Sequence, residues 1–468
     1  MKNLKHNLAL RVIKMIDAVM ITIPFIIAWC LYYAQRVASP YYAKGNYLVI
    51  FLFLVLYIIY GRIYDGFVIS LARISEMVYS QALAALFSDA ILYVVAWLLT
   101  KYLPNALPLV AAFAAQVALA VAWSAWASNW YHAAYPPKRS AVIYDEREGL
   151  EKLINQYGLD KKFAVELTLN VQDCIENLDD LQGLDTVFLS GIHSHERNII
   201  LKYCVANDIM VYLIPRIGDV IMSGARPMHM FHLPMLRVGR YNPQPEYLFI
   251  KRAFDIFASG IALIVLSPVM LLTSLAIKAT DGGPAFYKQV RLTKDGKFFY
   301  IHKFRSMRID AEMDGVARLS TGEKDDRITP VGRFIRKVRL DELPQLWDIF
   351  IGNLSIVGPR PERPEIAAKY CEEMPEFALR LQAKAGLTGY AQVYGKYNTT
   401  PYDKLQMDLM YIAKPDLAED LRLIFATIKI LFMKDSTEGI NEGATTAMEH
   451  GVVDALEPET DSEELVTK

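Results

Sequence analysis

Cysteine is scarce in this chain, and its few copies lie far apart. The 468 residues include four cysteines, at positions 30, 174, 204 and 371. No two of them have the close spacing that a zinc site or a redox motif requires, so we expect reduced, structural thiols. The run HSHE at residues 193 to 196 has no second ligand cluster beside it, and we interpret it as a solvated loop or helix start rather than a metal site.

The chain as a whole also lacks an excess of charge of either sign, because its formal net charge is -1. Its hydrophobic content of 53% is high for an ordinary soluble enzyme and indicates a membrane protein. The charge is nevertheless uneven, since residues 435 to 468 contain ten acids and a single base, Lys468. We predict that 435–468 is a disordered acidic tail, with a solvated terminus favoured over a docking motif.

Long apolar runs are abundant in the first 135 residues. Each is near the length needed to cross a bilayer, and they cover approximately residues 15–35, 46–61, 81–100 and 106–130. They predict an N-terminal four-helix transmembrane bundle over residues 1–135. Lysine and arginine are more frequent before the first run, between the second and third runs and after the fourth run than in the other flanks. Because positive flanks stay in the cytoplasm, we expect both ends of the bundle to be cytoplasmic. Asp17 and Asp89 either have a function inside the bundle or face a neighbouring helix.

The pattern changes to short β-rich runs separated by helical stretches over residues 138–240. The runs SAVIYD, FAVELTL, DTVFLSG and IMVYLIP alternate with helical segments, which predicts a small parallel α/β domain. A dinucleotide site needs a glycine-rich turn after the first strand, but residues 144 to 148 read YDERE. We therefore interpret the segment as a degenerate Rossmann-like module for assembly or regulation, ahead of nucleotide binding.

A fifth apolar run lies at about residues 256–277, within a predicted helix at 251–278, and is interrupted by Ser267-Pro268. Proline removes an intrahelical donor, and the adjacent serine can satisfy a freed carbonyl, so a sharp break is predicted there. A re-entrant membrane helix would then return to its starting face. The alternative is a kinked helix that spans the membrane.

Several long motifs follow in fixed order. They are KRAFDIFASGIALIVLSP, GGPAFYKQVR, GKFFYIHKFRSMR, ITPVGRFIRKVRLDELPQLWDIFIGNLSIVGPRPE, GLTGYAQVYG and LQMDLMYI. Residues 247–434, which contain them, resemble the bacterial sugar transferase domain of the monotopic polyprenyl-phosphate phosphoglycosyl transferases. The N-terminal helices and α/β module resemble, in layout, the extension of the large members of that family.

The resemblance implies an undecaprenyl-phosphate sugar phosphotransferase. It would transfer a sugar 1-phosphate from a UDP-sugar to undecaprenyl phosphate and release UMP, as the first membrane step of exopolysaccharide, capsule or O-antigen assembly. It also implies Mg²⁺ as cofactor, contact with membrane lipid, and a catalytic domain on the cytoplasmic face of the bacterial inner membrane. Galactose, glucose and an N-acetylated amino sugar all remain open as the transferred sugar. No nucleic-acid partner is expected, and the extra N-terminal segments suggest a homodimer.

Asp341 and Glu342 stand among several cations in VRLDELPQ. Pro344 is tolerated in the first turn of a helix, so we expect both acids at a helix N-terminus, where the dipole keeps them ionised. By resemblance, Asp341 is the nucleophile that forms a covalent aspartyl sugar-phosphate, and Glu342 holds the metal. An isolated pair of this kind would be interpreted as a helix cap.

Further basic and acidic residues match family motifs. Arg360, between prolines, is expected to clamp a phosphate, and Lys303 matches an active-site lysine and ranks above Arg305. Asp408 is expected near the site, positioning the sugar, the metal or a basic partner; its alternative is a solvated helix position. The set of substrate and phosphate ligands is completed by Arg339 and by Lys384, where many members have arginine.

The segment VGRFIRKVRL alternates apolar residues with four cations, which predicts an amphipathic helix in the headgroup layer. Its alternative is a core-packed helix with a solvated basic face. A membrane-anchored sensor with an inactive C-terminal part is disfavoured because Asp341, Glu342 and Arg360 are all present. A transporter would require more buried charge than Asp17 and Asp89 supply.

Overall fold

A computed structural model of the chain describes residues 2–37, 44–100, 102–145, 147–241, 243–309, 311, 327–395 and 399–431. The predicted acidic tail at 435–468 lies outside these residues. The chain forms two compact units. The first comprises Met1–Ile143, Glu151–Phe188 and Ile199–Val211, and the second comprises Tyr144–Leu150, Leu189–Asn198 and Tyr212–Lys468.

Four long apolar helices open the chain, as the sequence predicts. They are α1 (Lys2–Ala28), α2 (Lys44–Ile63), α3 (Ile74–Leu99) and α4 (Leu107–Ala134). Helix α1 packs against α2 and α4, and α3 packs against the same two helices. The carboxylate of Asp17 is buried and accepts a hydrogen bond from Gln81 Nε2 at 3.2 Å, so it faces a neighbouring helix.

The predicted β-rich runs form a four-stranded sheet. Its strands, in the spatial order β2-β1-β3-β4, are β1 (Lys138–Tyr144), β2 (Phe163–Asn170), β3 (Thr186–Ser190) and β4 (Met210–Leu213). The helices around them are α5 (Leu150–Gln156), α6 (Val171–Glu176), α7 (Ser194–Ala206) and α8 (Ile217–Ser223). A short antiparallel hairpin of β5 (Arg226–Met230) and β6 (Leu233–Arg237) follows.

Helix α9 (Pro245–Asp281) carries the fifth apolar run. Pro245 occupies its first turn, and Gly282 ends it with a φ of 74°, a left-handed conformation that glycine adopts without strain. Pro268 lies inside the helix, and the Ser267 hydroxyl donates to the carbonyl oxygen of Ile264 at 2.8 Å. That carbonyl is the one whose usual donor, the nitrogen of residue 268, carries no hydrogen.

Further elements of the second unit follow α9 in the chain. They are the antiparallel hairpin β7 (Phe286–Leu292) and β8 (Phe298–Phe304), α10 (Pro330–Lys337), α11 (Gln345–Ile351), β9 (Ser355–Val357), α12 (Pro364–Glu373), β10 (Gly386–Thr388), α13 (Tyr390–Val393), α14 (Pro401–Ala413) and α15 (Leu417–Leu431). Strands β9 and β10 pair in parallel. Buried Leu405, Leu409 and Leu423 belong to the main core of this part.

Five helices are long and apolar enough to cross a membrane: Leu8–Arg36, Lys44–Ile63, Ile74–Leu99, Leu107–Ala134 and Pro245–Asp281. The chain is therefore a membrane-associated protein by the length and composition of its helices. The membrane-spanning bundle and the re-entrant course of α9 stay predictions.

The start of α10 leaves no room for a side chain at Gly332. A Cβ built there would lie 1.9 Å from the carbonyl oxygen of Ser306. We expect Gly332→Ala to lower the free energy of unfolding by about 2 kcal/mol, because the backbone must shift. Thermal unfolding of the solubilised protein measures the change. Gly218→Ala in α8 is the matched control, since a Cβ there meets nothing within 4 Å; equal melting temperatures of the two variants would contradict the prediction.

Candidate active site

Two cations converge on a single carboxylate oxygen of Glu342. Lys303 Nζ lies 3.4 Å from Glu342 Oε1, and Arg360 Nη2 lies 3.0 Å from the same atom. Burial alone would raise the pKa of this carboxyl, but Arg360, Lys303 and Arg339 outweigh it and hold the pKa of Glu342 well below its usual range. Glu342 is therefore ionised throughout the physiological pH range.

The neighbouring acid, Asp341, has a different environment. It is 9% exposed, and its Oδ1 is buried without a hydrogen-bond partner among the described residues. Burial and the adjacent charge of Glu342 raise the pKa of Asp341, while Lys303, Arg336 and Arg339 act in the opposite direction. Two adjacent acids thus have pKa values that are shifted apart, which is a typical sign of distinct chemical roles.

The backbone around the two acids differs from the sequence prediction. Asp341 and Glu342 lie in a 3₁₀ turn, Leu340–Glu342, and α11 begins only at Gln345, with Pro344 as its N-cap residue. The sequence placed both acids at the N-terminus of a helix over LPQLWDIFIG, whereas they precede the observed start of α11 by four and three residues. Burial and nearby side-chain charges shift their pKa values in opposite directions, and ionisation by the helix dipole stays a prediction. Arg339 precedes the turn with a φ of 58°, which redirects the chain.

Lys303 is placed by the β7–β8 hairpin and by a buried acid beside it. Asp348, fully buried on α11, accepts hydrogen bonds from the His302 backbone nitrogen at 2.9 Å and contacts His302 Nδ1 at 2.6 Å. This clamp holds the end of β8 against α11. Burial lowers the pKa of Lys303, and Glu342 acts against that shift.

Arg360 belongs to a loop, residues 359 to 363, that two arginines hold by its carbonyl groups. Arg380 Nη2 donates to the carbonyl oxygen of Arg360 at 2.8 Å, and Arg291 Nη1 donates to that of Pro361 at 3.1 Å. Arg291 also lies 3.6 Å from Glu362. The loop backbone is thereby fixed while the Arg360 side chain reaches Glu342.

Asp408 acts on this loop through an intermediate residue. It is 1% exposed, and its Oδ2 lies 2.6 Å from Arg380 Nη2. Asp408 therefore pairs with a basic residue, which is one of its predicted roles, and it does not occupy a solvated helix position. Arg380 is not among the site residues predicted from the sequence. Its only signal was a charged residue inside the apolar run FALRL.

Two predicted ligands contact protein groups in other places. The Arg305 guanidinium pairs with both carboxylate oxygens of Asp281 and donates to the carbonyl oxygen of Pro284. Lys384 Nζ donates to the carbonyl oxygen of Gly352 at 2.9 Å. The structure therefore brings Lys303, Arg339 and Arg360 to the two acids, but it places Arg305 and Lys384 in structural contacts.

An apolar cavity of about 280 Å³ opens beside the Arg360 loop. It is lined by Arg360, Glu362 and Arg380 at one side and by apolar side chains that include Phe298, Phe377 and Leu381. A pocket next to a cluster of charged groups is the usual setting of a small-molecule site.

Comparisons with known proteins match the C-terminal part of the chain to a family. A family model described as bacterial sugar transferase matches residues 246–434. The chain is 36% identical over 234 residues to a UDP-N-acetylgalactosamine-undecaprenyl-phosphate N-acetylgalactosaminephosphotransferase of Aeromonas hydrophila, covering 49% of this chain and 54% of the relative. It is 38% identical over 216 residues to an undecaprenyl-phosphate galactose phosphotransferase of Salmonella typhimurium, covering 43% and 44%.

A shorter relative is covered almost completely. The exopolysaccharide production protein PSS of Rhizobium leguminosarum bv. phaseoli is 40% identical over 190 residues, which are 39% of this chain and 94% of the relative. By contrast, the chain matches about half the length of the two longer relatives.

The shifted pKa of Asp341 can be tested without an activity assay. Glu342→Gln removes the adjacent negative charge, so we expect the pKa of Asp341 to fall. Lys303→Met removes a nearby cation, so the pKa should rise. Carbodiimide reacts with protonated carboxyl groups, and peptide mass spectrometry across a pH series reports the labelling midpoint. The same midpoint in both variants would refute the electrostatic account.

Proposed function

The chain belongs to the bacterial sugar transferase family, and we propose from this premise that it transfers a sugar 1-phosphate from a UDP-sugar to undecaprenyl phosphate. UMP is released, and a covalent aspartyl sugar-phosphate on Asp341 is the intermediate. The reaction would be the first membrane step in making an exopolysaccharide, capsule or O-antigen. The names of the relatives, which specify undecaprenyl-phosphate sugar phosphotransferases, support this reaction class.

The observation that carries the proposal is the buried Oδ1 of Asp341, which has no hydrogen-bond partner among the described residues and lies beside an ionised, cation-paired Glu342. A nucleophilic carboxylate needs a free lone pair, and a carboxylate with a raised pKa is the more basic one. Nearby cations, Lys303 and Arg360, supply positive charge for a diphosphate.

The proposed reaction has two displacements. An oxygen of Asp341 forms a bond to the sugar-bearing phosphorus of the donor, and the bond from that phosphorus to the UMP oxygen breaks, with its electron pair leaving on UMP. A phosphate oxygen of undecaprenyl phosphate then attacks the same phosphorus. The acyl phosphate bond breaks, which returns the carboxylate and yields the lipid diphosphate sugar.

The residues fit a magnesium ion held partly by substrate. Among the residues that the structure describes, no cluster of three or more His, Cys, Asp or Glu could hold a metal. Mg²⁺, however, is commonly bound by one or two carboxylates with substrate phosphates and water. Glu342, ionised and adjacent to the buried oxygen of Asp341, would hold it. When bound, the ion would neutralise charge on the diphosphate.

Contacts at both ends of α9 support a re-entrant helix. Near its start, Arg252 donates to the carbonyl oxygens of Ile349 and Phe350 at 2.7 and 2.8 Å. Near its end, Ile277 packs with Phe304 and Ile335. The middle of α9 exposes large apolar side chains, among them Ile261, Ile264, Leu271 and Leu272. A helix whose two ends bind one globular unit while its middle is exposed and apolar is suited to dip into one leaflet.

Helix α10 supports the placement of the acids at the same interface. Phe334 is 61% exposed and Ile335 is buried, so the helix is apolar on both its core side and part of its outer side. We propose that α10 lies in the headgroup layer, that α1–α4 span the bacterial inner membrane as a bundle, and that the catalytic part faces the cytoplasm. A homodimer stays a prediction.

The proposed intermediate can be trapped on Asp341. Purified protein with Mg²⁺ and a panel of UDP-sugars, but no acceptor, should release at most one UMP per chain and gain a sugar-phosphate mass on the peptide that contains Asp341. Asp341→Asn should reduce UMP release by at least about 10³-fold because the amide cannot replace the nucleophile. Lys288→Met, a cation on the same hairpin as Lys303, is the control and should retain activity. Normal turnover by Asp341→Asn would disprove the nucleophile.

The course of α9 can be tested with single cysteines at its ends. In a background without native cysteines, Glu246→Cys and Thr280→Cys should react with a membrane-impermeant maleimide only in inverted vesicles, because both ends lie on the cytoplasmic face. Leu103→Cys, between α3 and α4, is the control and should react in intact cells. Labelling of the two α9 cysteines from opposite sides would instead establish a spanning helix.

A further inference from the structure

The strand order of the four-stranded sheet indicates where such a sheet usually binds a ligand. In the order β2-β1-β3-β4, β2 lies on one side of β1 and β3 on the other, so the topological switch point is between β1 and β3. In open α/β sheets, ligands bind at such a switch point, in the crevice formed by the loops that follow the two strands. Here those loops contain Arg147, three residues after β1, and Gly191, directly after β3.

Arg147 is held tightly in this crevice. The Ser190 hydroxyl donates to the Arg147 carbonyl oxygen at 2.9 Å. A Cβ at Gly191, whose φ is 71°, would lie 3.1 Å from Arg147 atoms, so the glycine permits the close approach. The Arg147 side chain is only 10% exposed.

The guanidinium of Arg147 binds α14 of the catalytic part. Its Nη1 donates to Asp403 Oδ1 at 3.1 Å, and its carbon lies 4.9 Å from the centre of the Tyr402 ring. Asp403 is in the first turn of α14, where Thr400 caps the helix and pairs with the same carboxylate. A partly buried charged pair and an aromatic ring beside the guanidinium fix this helix end.

Two further contacts continue along α14. Gln406 Nε2 donates to the carbonyl oxygen of Pro215, which follows β4. A Cβ at Gly224, at the end of α8, would lie 2.7 Å from the carbonyl oxygen of Ala413. Helix α14 thus contacts Arg147 near its start, Pro215 in its middle and Gly224 near its end, all within the second unit.

The same helix leads directly to the active site. Asp408 on α14 pairs with Arg380 at 2.6 Å, and Arg380 holds the carbonyl oxygen of Arg360 at 2.8 Å. Arg360 in turn lies 3.0 Å from Glu342. Each link is an ion pair or hydrogen bond, and Asp408 and Arg380 are buried.

We propose that Arg147 is a positioning residue for the transferase site, and that its contact with α14 takes the place of a ligand at the loops that follow β1 and β3. The contact of Arg147 with α14 fixes the position of the loop that carries Arg360, because Asp408 on α14 pairs with Arg380 and Arg380 binds that loop. The proposal rests on the proposed function for its kinetic test. The positioning role predicts that a substitution of Arg147 weakens binding of the donor diphosphate and leaves the rate of the chemical step nearly unchanged.

The kinetic test compares Arg147→Met with Arg197→Met in the full-length solubilised protein. Arg197 is a matched control because its side chain is 12% exposed and its ion pair is with Asp219 on α8 rather than with a residue of α14. We expect Arg147→Met to raise the KM for the UDP-sugar about tenfold, with kcat changed by less than about twofold. Arg147→Lys should recover most of the loss, because an ammonium group can still pair with Asp403.

Equal KM values for Arg147→Met, Arg197→Met and the wild type would overturn the positioning role. A general loss of folded protein would lower the rate of both variants without changing KM. A double-mutant cycle with Asp408→Asn adds a second criterion, since residues on one route should give effects that do not add. Strictly additive effects would also count against the proposal.

A readout without activity separates this proposal from the proposed function. If the wild type releases no UMP from any UDP-sugar, the proposed function fails. Amide hydrogen exchange still decides the positioning role. Peptides that cover residues 358 to 363 should exchange faster in Arg147→Met than in Arg197→Met and the wild type. The same exchange in all three proteins would contradict the coupling.

Discussion

The pairing of Glu342 with Lys303 and Arg360 is the interaction on which the rest of the site depends. Three separate segments, the end of β8, the 3₁₀ turn before α11 and the loop after β9, meet at a single carboxylate oxygen. A largely buried charge is costly without a partner, so the carboxylate and its cations stabilise one another's ionised forms. The position of each segment is therefore tied to the positions of the other two.

The same charges give the two adjacent acids pKa values that are shifted in opposite directions. Glu342 lies against the cations and stays ionised, whereas burial and the Glu342 charge make Asp341 more basic. Around them, further buried pairs hold the framework. Asp348 holds the end of β8 through His302, and Asp408 holds the Arg360 loop through Arg380. Buried charges of this kind are expensive unless paired, and each pair here connects an active-site segment to a helix of the core.

Much of the fold followed from patterns that are local in sequence. Apolar runs of bilayer length appear as α1 to α4 and α9, and four β-rich runs appear as the strands of the sheet. The site was predicted in part for the same reason, since Asp341, Glu342, Lys303 and Arg360 lie in long recognisable motifs and meet in the structure. The helix predicted over LPQLWDIFIG begins two residues later, at Gln345, because a proline permits a first turn without specifying where the helix begins.

The sequence by itself determined which segments are apolar enough for a membrane, which are strands, and which residue types are available for phosphoryl transfer. Only the tertiary structure decided how the charges pair. Arg305 pairs with Asp281, Lys384 reaches a carbonyl of Gly352, and Arg147 reaches Asp403 across 256 positions of the chain. Hydrophobic periodicity is a property of neighbouring residues, whereas the partner of a charge depends on which distant segments packing brings within about 4 Å.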